Sequence, residues 1–117
     1  MYGVARVMNA VLAGVLAIVV GASSAAAAQE YRVQLYFGGV WKAQGIYYSG
    51  DNYLCADLVR GNIATASLGG QSVNDFTTGD GASCKWLTGI TDGANYNLQI
   101  VWRGDANQDS KLIPVKG

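Results

Sequence analysis

Histidine is absent from this chain of 117 residues, proline occurs once, cysteine twice, and charge of either sign is scarce. The missing imidazole excludes Ser–His–Asp and Cys–His catalysis, both of which need it as the general base. It also excludes a zinc site built on imidazole, and two cysteines alone make a poor one. Eight basic side chains balance eight acidic ones without clustering. The basic stripe that would drive binding to nucleic acid or anionic lipid is therefore missing. A membrane-spanning run is missing as well: Ala10–Gly21 is apolar throughout but only 12 residues long, against the roughly 20 a crossing helix needs.

That run fits the hydrophobic centre of a secretory signal. Met1–Asn9 carries Arg6 and no acid, and Ala26 and Ala28 occupy the −3 and −1 positions of a cleavage site before Gln29. Residues 1–28 are expected to be removed on export. Residues 29–117 would then form one secreted β domain without stable membrane insertion. The mature part keeps seven basic and eight acidic side chains, a net charge of −1. Both cysteines lie in it, and in an exported chain they are expected to pair, Cys55 with Cys84. Closing a loop of about 30 residues should stabilise so small a domain by roughly 3–4 kcal/mol.

From Tyr31 onward, short alternating runs are broken by glycine, asparagine or aspartate about every 8–12 residues, the spacing of an antiparallel sandwich or barrel. Six to seven short strands are expected. In the first, Tyr31, Val33, Leu35 and Phe37 alternate with Arg32, Gln34 and Tyr36, and Gly38-Gly39 supplies a hairpin turn. The second runs from Val40 to about Ser49. Gly45 inside it marks a bulge or a close backbone approach, which leaves open whether Tyr47 or Tyr48 points inward.

The third strand, Tyr53–Val59, should bury Leu54, Ala56 and Leu58 and leave Cys55 on the less buried side, tied to a loop or edge. A fourth covers Ile63–Leu68, a fifth Cys84–Leu87 and a sixth Asn95–Trp102. The stretch from Gly69 to Ser83 reads as the least regular. Leu112–Val115 is expected as a seventh strand at a sheet edge, because Pro114 cannot donate a ladder bond. The expected core comprises Val33, Leu35, Leu54, Leu58, Leu98, Ile100 and Trp102.

Little in the chain has the makings of catalysis. Carboxylate pairs could be drawn from Asp57, Asp75, Asp80 and Asp92. Asp80 and Asp92, like Asp51, sit beside glycine or asparagine in expected turns, where the side chain caps its own backbone. No enzyme and no cofactor are expected. Asp105, Asn107 and Asp109 have the spacing that opens an EF-hand or dockerin calcium loop. However, Ser110 replaces the turn glycine and Lys116 stands where the bidentate glutamate belongs, so no metal is expected. The Arg103-Gly104-Asp105 tripeptide of integrin ligands overlaps the same turn and is read as a turn. The mature part has no glycosylation sequon.

Aromatic side chains are in surplus. The mature part holds eleven, where a core of this size takes about six or seven. Tyr36, one of Tyr47 or Tyr48, and Trp86 are the expected exposed rings. With Arg32, Gln34, Lys42 and Gln44 nearby they suit sugar stacking or a protein interface. The reading is a small exported non-enzymatic binding domain using Tyr36, Tyr48 and Trp86, with a carbohydrate, the cell-envelope surface or a protein as partner. The alternative is a secreted effector, either a proteinaceous protease inhibitor presenting the Ser72–Ser83 segment or an antibacterial protein. A structural surface component is the third possibility.

Overall fold

A computed structural model describes residues 28–117; positions 1–27 of the expected signal segment lie outside the described residues. The chain forms eight strands: β1 (Glu30–Phe37), β2 (Val40–Tyr48), β3 (Tyr53–Leu58), β4 (Ile63–Leu68), β5 (Gln71–Asp75), β6 (Ser83–Trp86), β7 (Asn95–Arg103) and β8 (Gln108–Lys116). They make two antiparallel four-stranded sheets, β1-β2-β3-β6 and β5-β4-β7-β8. β1 lies over β8, β2 over β7, β3 over β4 and β6 over β5. The architecture is a two-sheet sandwich and not a closed barrel.

Alternation builds the interior. Val33 and Leu35 of β1, Leu54 and Leu58 of β3, and Leu98, Ile100 and Trp102 of β7 are all buried, as the periodicity predicts. The middle of the sandwich is filled with small residues: Ala43, Gly45, Ala56, Ala64 and Ala66. Gly45 is a close approach and not a bulge, since a Cβ there would lie 3.4 Å from the Ala66 methyl of the opposite sheet. The bulge falls earlier, where Leu35 pairs with Ala43 but Tyr36 pairs with Trp41, leaving Lys42 as the extra residue. From there Tyr47 points into the core and Tyr48 outward.

Two differences from the expected strands have a physical cause. Gly69-Gly70 is a tight hairpin, with φ of 59° and 79°, and β5 follows it where an irregular segment was expected. The side chains of β5 that lie against the rest of the fold are Gln71, Val73 and Asp75, so its alternation is hidden by polar residues. Each polar member is matched. Gln71 accepts from Thr88 N at 3.1 Å and donates to Thr88 O at 2.7 Å. The buried Asp75 carboxylate accepts from Leu58 N at 2.8 Å, Ser83 Oγ at 3.2 Å and Thr77 N at 3.4 Å. It thereby serves a β3 amide that lies beyond the reach of the short β6. The last strand is also longer than expected, pairing with β7 along all nine residues at the sheet edge.

Large rings close both ends of the sandwich. At one end Trp102 packs against Phe37 at 5.3 Å, donates to Arg60 O at 2.6 Å and has the Lys42 ammonium 5.2 Å from its ring centre. At the other, Tyr47 stacks on Tyr31 and donates to Asn52 Oδ1 at 3.0 Å. Burial pushes the Tyr47 hydroxyl above its ordinary pKa of 10.0, and Tyr96, Asp92 and Tyr31 add to the rise.

The folded state therefore holds the Tyr47 proton more tightly than the unfolded chain does. That contribution to stability is complete below about pH 10 and is lost as the pH climbs through the folded value. Tyr47→Phe should cost about 1 kcal/mol at neutral pH by deleting the bond to Asn52. It should also flatten the alkaline loss of stability. Urea midpoints of the two proteins from about pH 8 to about pH 11 should converge, and parallel curves would refute the assignment.

Candidate functional site

The outward face of the β1-β2-β3-β6 sheet is organised by register into rows that run across the strands. In the first row Glu30 lies opposite Tyr48, Tyr48 opposite Tyr53, and Tyr53 opposite Trp86. In the second, Arg32 is followed by Ile46, Cys55 and Cys84. In the third, Gln34 is followed by Gln44 and Asp57. Side chains directly opposite one another on one face are close enough to touch, so each row behaves as a unit.

The first row is aromatic. The Tyr53 and Trp86 rings have centroids 4.2 Å apart, and those of Tyr48 and Tyr53 are 6.2 Å apart. Trp86, on the edge strand β6, is 65% exposed, whereas Tyr48 and Tyr53 are half-buried. In the second row Cys55 and Cys84 form a disulfide across directly paired positions, with Cα atoms 4.0 Å apart. Cys55 does face away from the core and is tied to an edge strand, as expected. It is nevertheless only 3% exposed, being covered on that outer face.

The third row is a hydrogen-bonded polar strip. Arg32 Nη1 donates to Gln44 Oε1 at 3.2 Å, and Gln44 Nε2 donates to Asp57 Oδ2 at 3.0 Å. Arg32 is also paired with Glu30, so no unbalanced cation faces the rings.

Between the first two rows lies an open hollow of about 470 Å³, lined by Ile46, Tyr48, Asp51, Tyr53, Cys55, Ala82, Cys84 and Trp86. Its volume falls within the range of small-ligand sites. Two of the three rings singled out from the sequence, Tyr48 and Trp86, therefore come together here. Tyr36 does not join them. It is 56% exposed on the same sheet, but six residues along β1 from the position opposite Tyr48, about 20 Å at strand rise. Tyr53, Ile46, Asp51 and Ala82 were missed. Tyr53 could have been found from the cysteines, because it stands two residues before Cys55 and Trp86 two residues after Cys84.

The remaining sequence candidates have local structural roles. Asp105 Oδ1 accepts from Asn62 Nδ2 at 2.8 Å, and Asp109 Oδ1 accepts from Ser110 N at 2.9 Å. Gly104 N donates to Asn107 O, closing the β7–β8 hairpin. Among the described residues no three His, Cys, Asp or Glu side chains gather as a metal cluster. Gly104 of the Arg-Gly-Asp tripeptide packs on the Trp102 indole, with room for no Cβ. Of the Ser72–Ser83 segment, Ser72–Asp75 belongs to β5, Ser83 opens β6, and residues 76–82 are a connection whose Phe76 is 66% exposed.

Compared with known proteins, the chain matches no family model, no curated protein and no solved structure at a significant level.

Proposed function

We propose that the mature chain, residues 29–117, is an exported, non-enzymatic carbohydrate-binding domain that takes a sugar ring against Tyr53 and Trp86, with Tyr48 extending the contact. The observation that carries this reading is the aromatic row itself, three rings in register beside a hollow on a sheet face. Aromatic faces stack on the apolar faces of sugars, and several such contacts must act together, since each adds only about 0.5–1.5 kcal/mol beyond burial. Planar hydrogen-bonding groups one and two rows away (Arg32, Gln44, Asp57) belong to the same face. A disulfide is compatible with an extracellular site of action.

The secreted form, with an intact mass beginning at Gln29, is the material to test by pull-down on insoluble polysaccharides. Trp86→Ala should weaken the binding found there by about 2 kcal/mol, about thirty-fold. Because Trp86 is mostly solvent-facing, stability should fall by less than about 1 kcal/mol. Undiminished binding by Trp86→Ala would overturn the site, and hydrolysis of a glycan by the pure protein would overturn the non-enzymatic reading.

A second reading, a secreted protease inhibitor, draws support from the exposed Phe76. Its loop is pinned at both ends, by Asp75 to Ser83 and by the Cys84 bridge. Inhibition in a protease panel that is lost in Phe76→Ala, without polysaccharide binding, would favour it. Failure of both assays would leave the structural surface component.

A further inference from the structure

Hexoses present hydroxyl groups around their rims, yet the floor of the hollow offers these groups nothing. It consists of the Ile46 side chain and the Cys55–Cys84 disulfide, with Tyr48, Tyr53 and Trp86 as walls and the exposed Ala82 at its margin. A hydroxyl directed onto that floor would give up its water partners without replacement, which is unfavourable. A methyl group carried beside the stacked ring would instead be removed from water against apolar atoms. Asp51 is the single charged residue in the lining, and a carboxylate is an acceptor without a donor. The floor therefore calls for an apolar substituent and the rim for a hydrogen-bond donor. The negative charge disfavours uronic or sialic acids.

From this chemistry we infer that the site selects glycans containing N-acetylhexosamine. The sugar ring stacks on Tyr53 and Trp86, the acetamido methyl enters the hollow over Ile46 and the disulfide, and the acetamide N–H faces Asp51. This specificity rests on the carbohydrate-binding reading and adds a substrate class to it. Ala82 borders the hollow one residue before β6 begins, with a side chain small enough to leave it open.

Three tetrasaccharides of the same β-1,4 linkage test the inference when titrated calorimetrically into the secreted protein: those of N-acetylglucosamine, glucose and glucosamine. The acetylated tetramer should bind at least about tenfold more tightly than the glucose tetramer, about 1.4 kcal/mol. Ala82→Leu, which fills the hollow, should reduce that ratio several-fold. Equal affinity for the acetylated and glucose tetramers would overturn the inference while leaving a sugar-binding site. Tightest binding of glucosamine would also overturn it, because attraction of the ammonium to Asp51 would then decide. An unchanged ratio in Ala82→Leu would remove the hollow from the explanation. Binding of none of the three, with no polysaccharide retained in pull-down, would overturn both this specificity and the function beneath it.

Discussion

Replacing both bridge cysteines, Cys55→Ala with Cys84→Ala, should lower the melting midpoint by about 12–30 °C. A loop of this length contributes roughly 3–4 kcal/mol through the unfolded chain, and a domain of this size shifts about 4–8 °C for each kcal/mol. Alanine is the appropriate replacement, because serine at the nearly buried Cys55 would add a hydroxyl to be satisfied. The structure adds a local effect. β6 has four residues and pairs only with β3, so the bridge is its main covalent hold on the sheet. Without it the β6 amides should exchange with solvent well ahead of those in β7, and Trp86 should separate from Tyr53. Thermal unfolding with amide exchange measures both effects, and a fall of under about 5 °C would contradict the expectation.

Gly61→Ala should be comparably damaging, although it adds only one methyl group. Gly61 has φ of 122°, where a residue with a side chain is strained, at a cost of about 1–3 kcal/mol. The added Cβ would also overlap the Trp102 indole nitrogen and lie 2.9 Å from Cε2. The ring cannot yield easily, since Gly104 packs against its Cζ2 and Cη2 atoms and its N–H is bonded to Arg60 O. Overpacking of this kind costs about 1–3 kcal/mol more. A total of about 4 kcal/mol would remove most of the stability of a marginal small domain. The measurement is a urea midpoint with the Trp102 near-ultraviolet signal, and a loss under about 1 kcal/mol would refute this packing.

Where one side of a strand is apolar and the other polar, the fold was legible from residues alone. Val33 and Leu35, Leu54 and Leu58, and Leu98, Ile100 and Trp102 announce their strands because burial selects every second position. β5 was not legible, because two of its three fold-facing positions, Gln71 and Asp75, are polar and satisfied by partners more than ten residues away. The Gly69-Gly70 pair repeats the hairpin pattern of Gly38-Gly39, yet the polar run after it made the stretch read as irregular. Composition foretold a surplus of rings and named Tyr48 and Trp86. It could not group them, because grouping depends on cross-strand register. The information for that register was partly present. A hairpin returning through Gly50 and Asp51 sets Tyr48 against Tyr53, and a bridge between adjacent antiparallel strands sets Tyr53 against Trp86. Tyr36 shared their chemistry but lay too far along its strand.

An open sandwich has four sheet edges, and every unpaired edge is a template on which another copy could add a strand. Here each edge carries its own impediment. β6 and β5 are only four and five residues long, β1 begins with the charged pair Glu30 and Arg32, and β8 carries Lys111, Pro114 and Lys116. Pro114 breaks the row of donors an added ninth strand would need, and a lysine would have to be stripped of water on either side of it. For a protein proposed to work outside the cell, beyond the reach of cytosolic chaperones, the awkward composition of β8 is a protection against polymerisation into sheets.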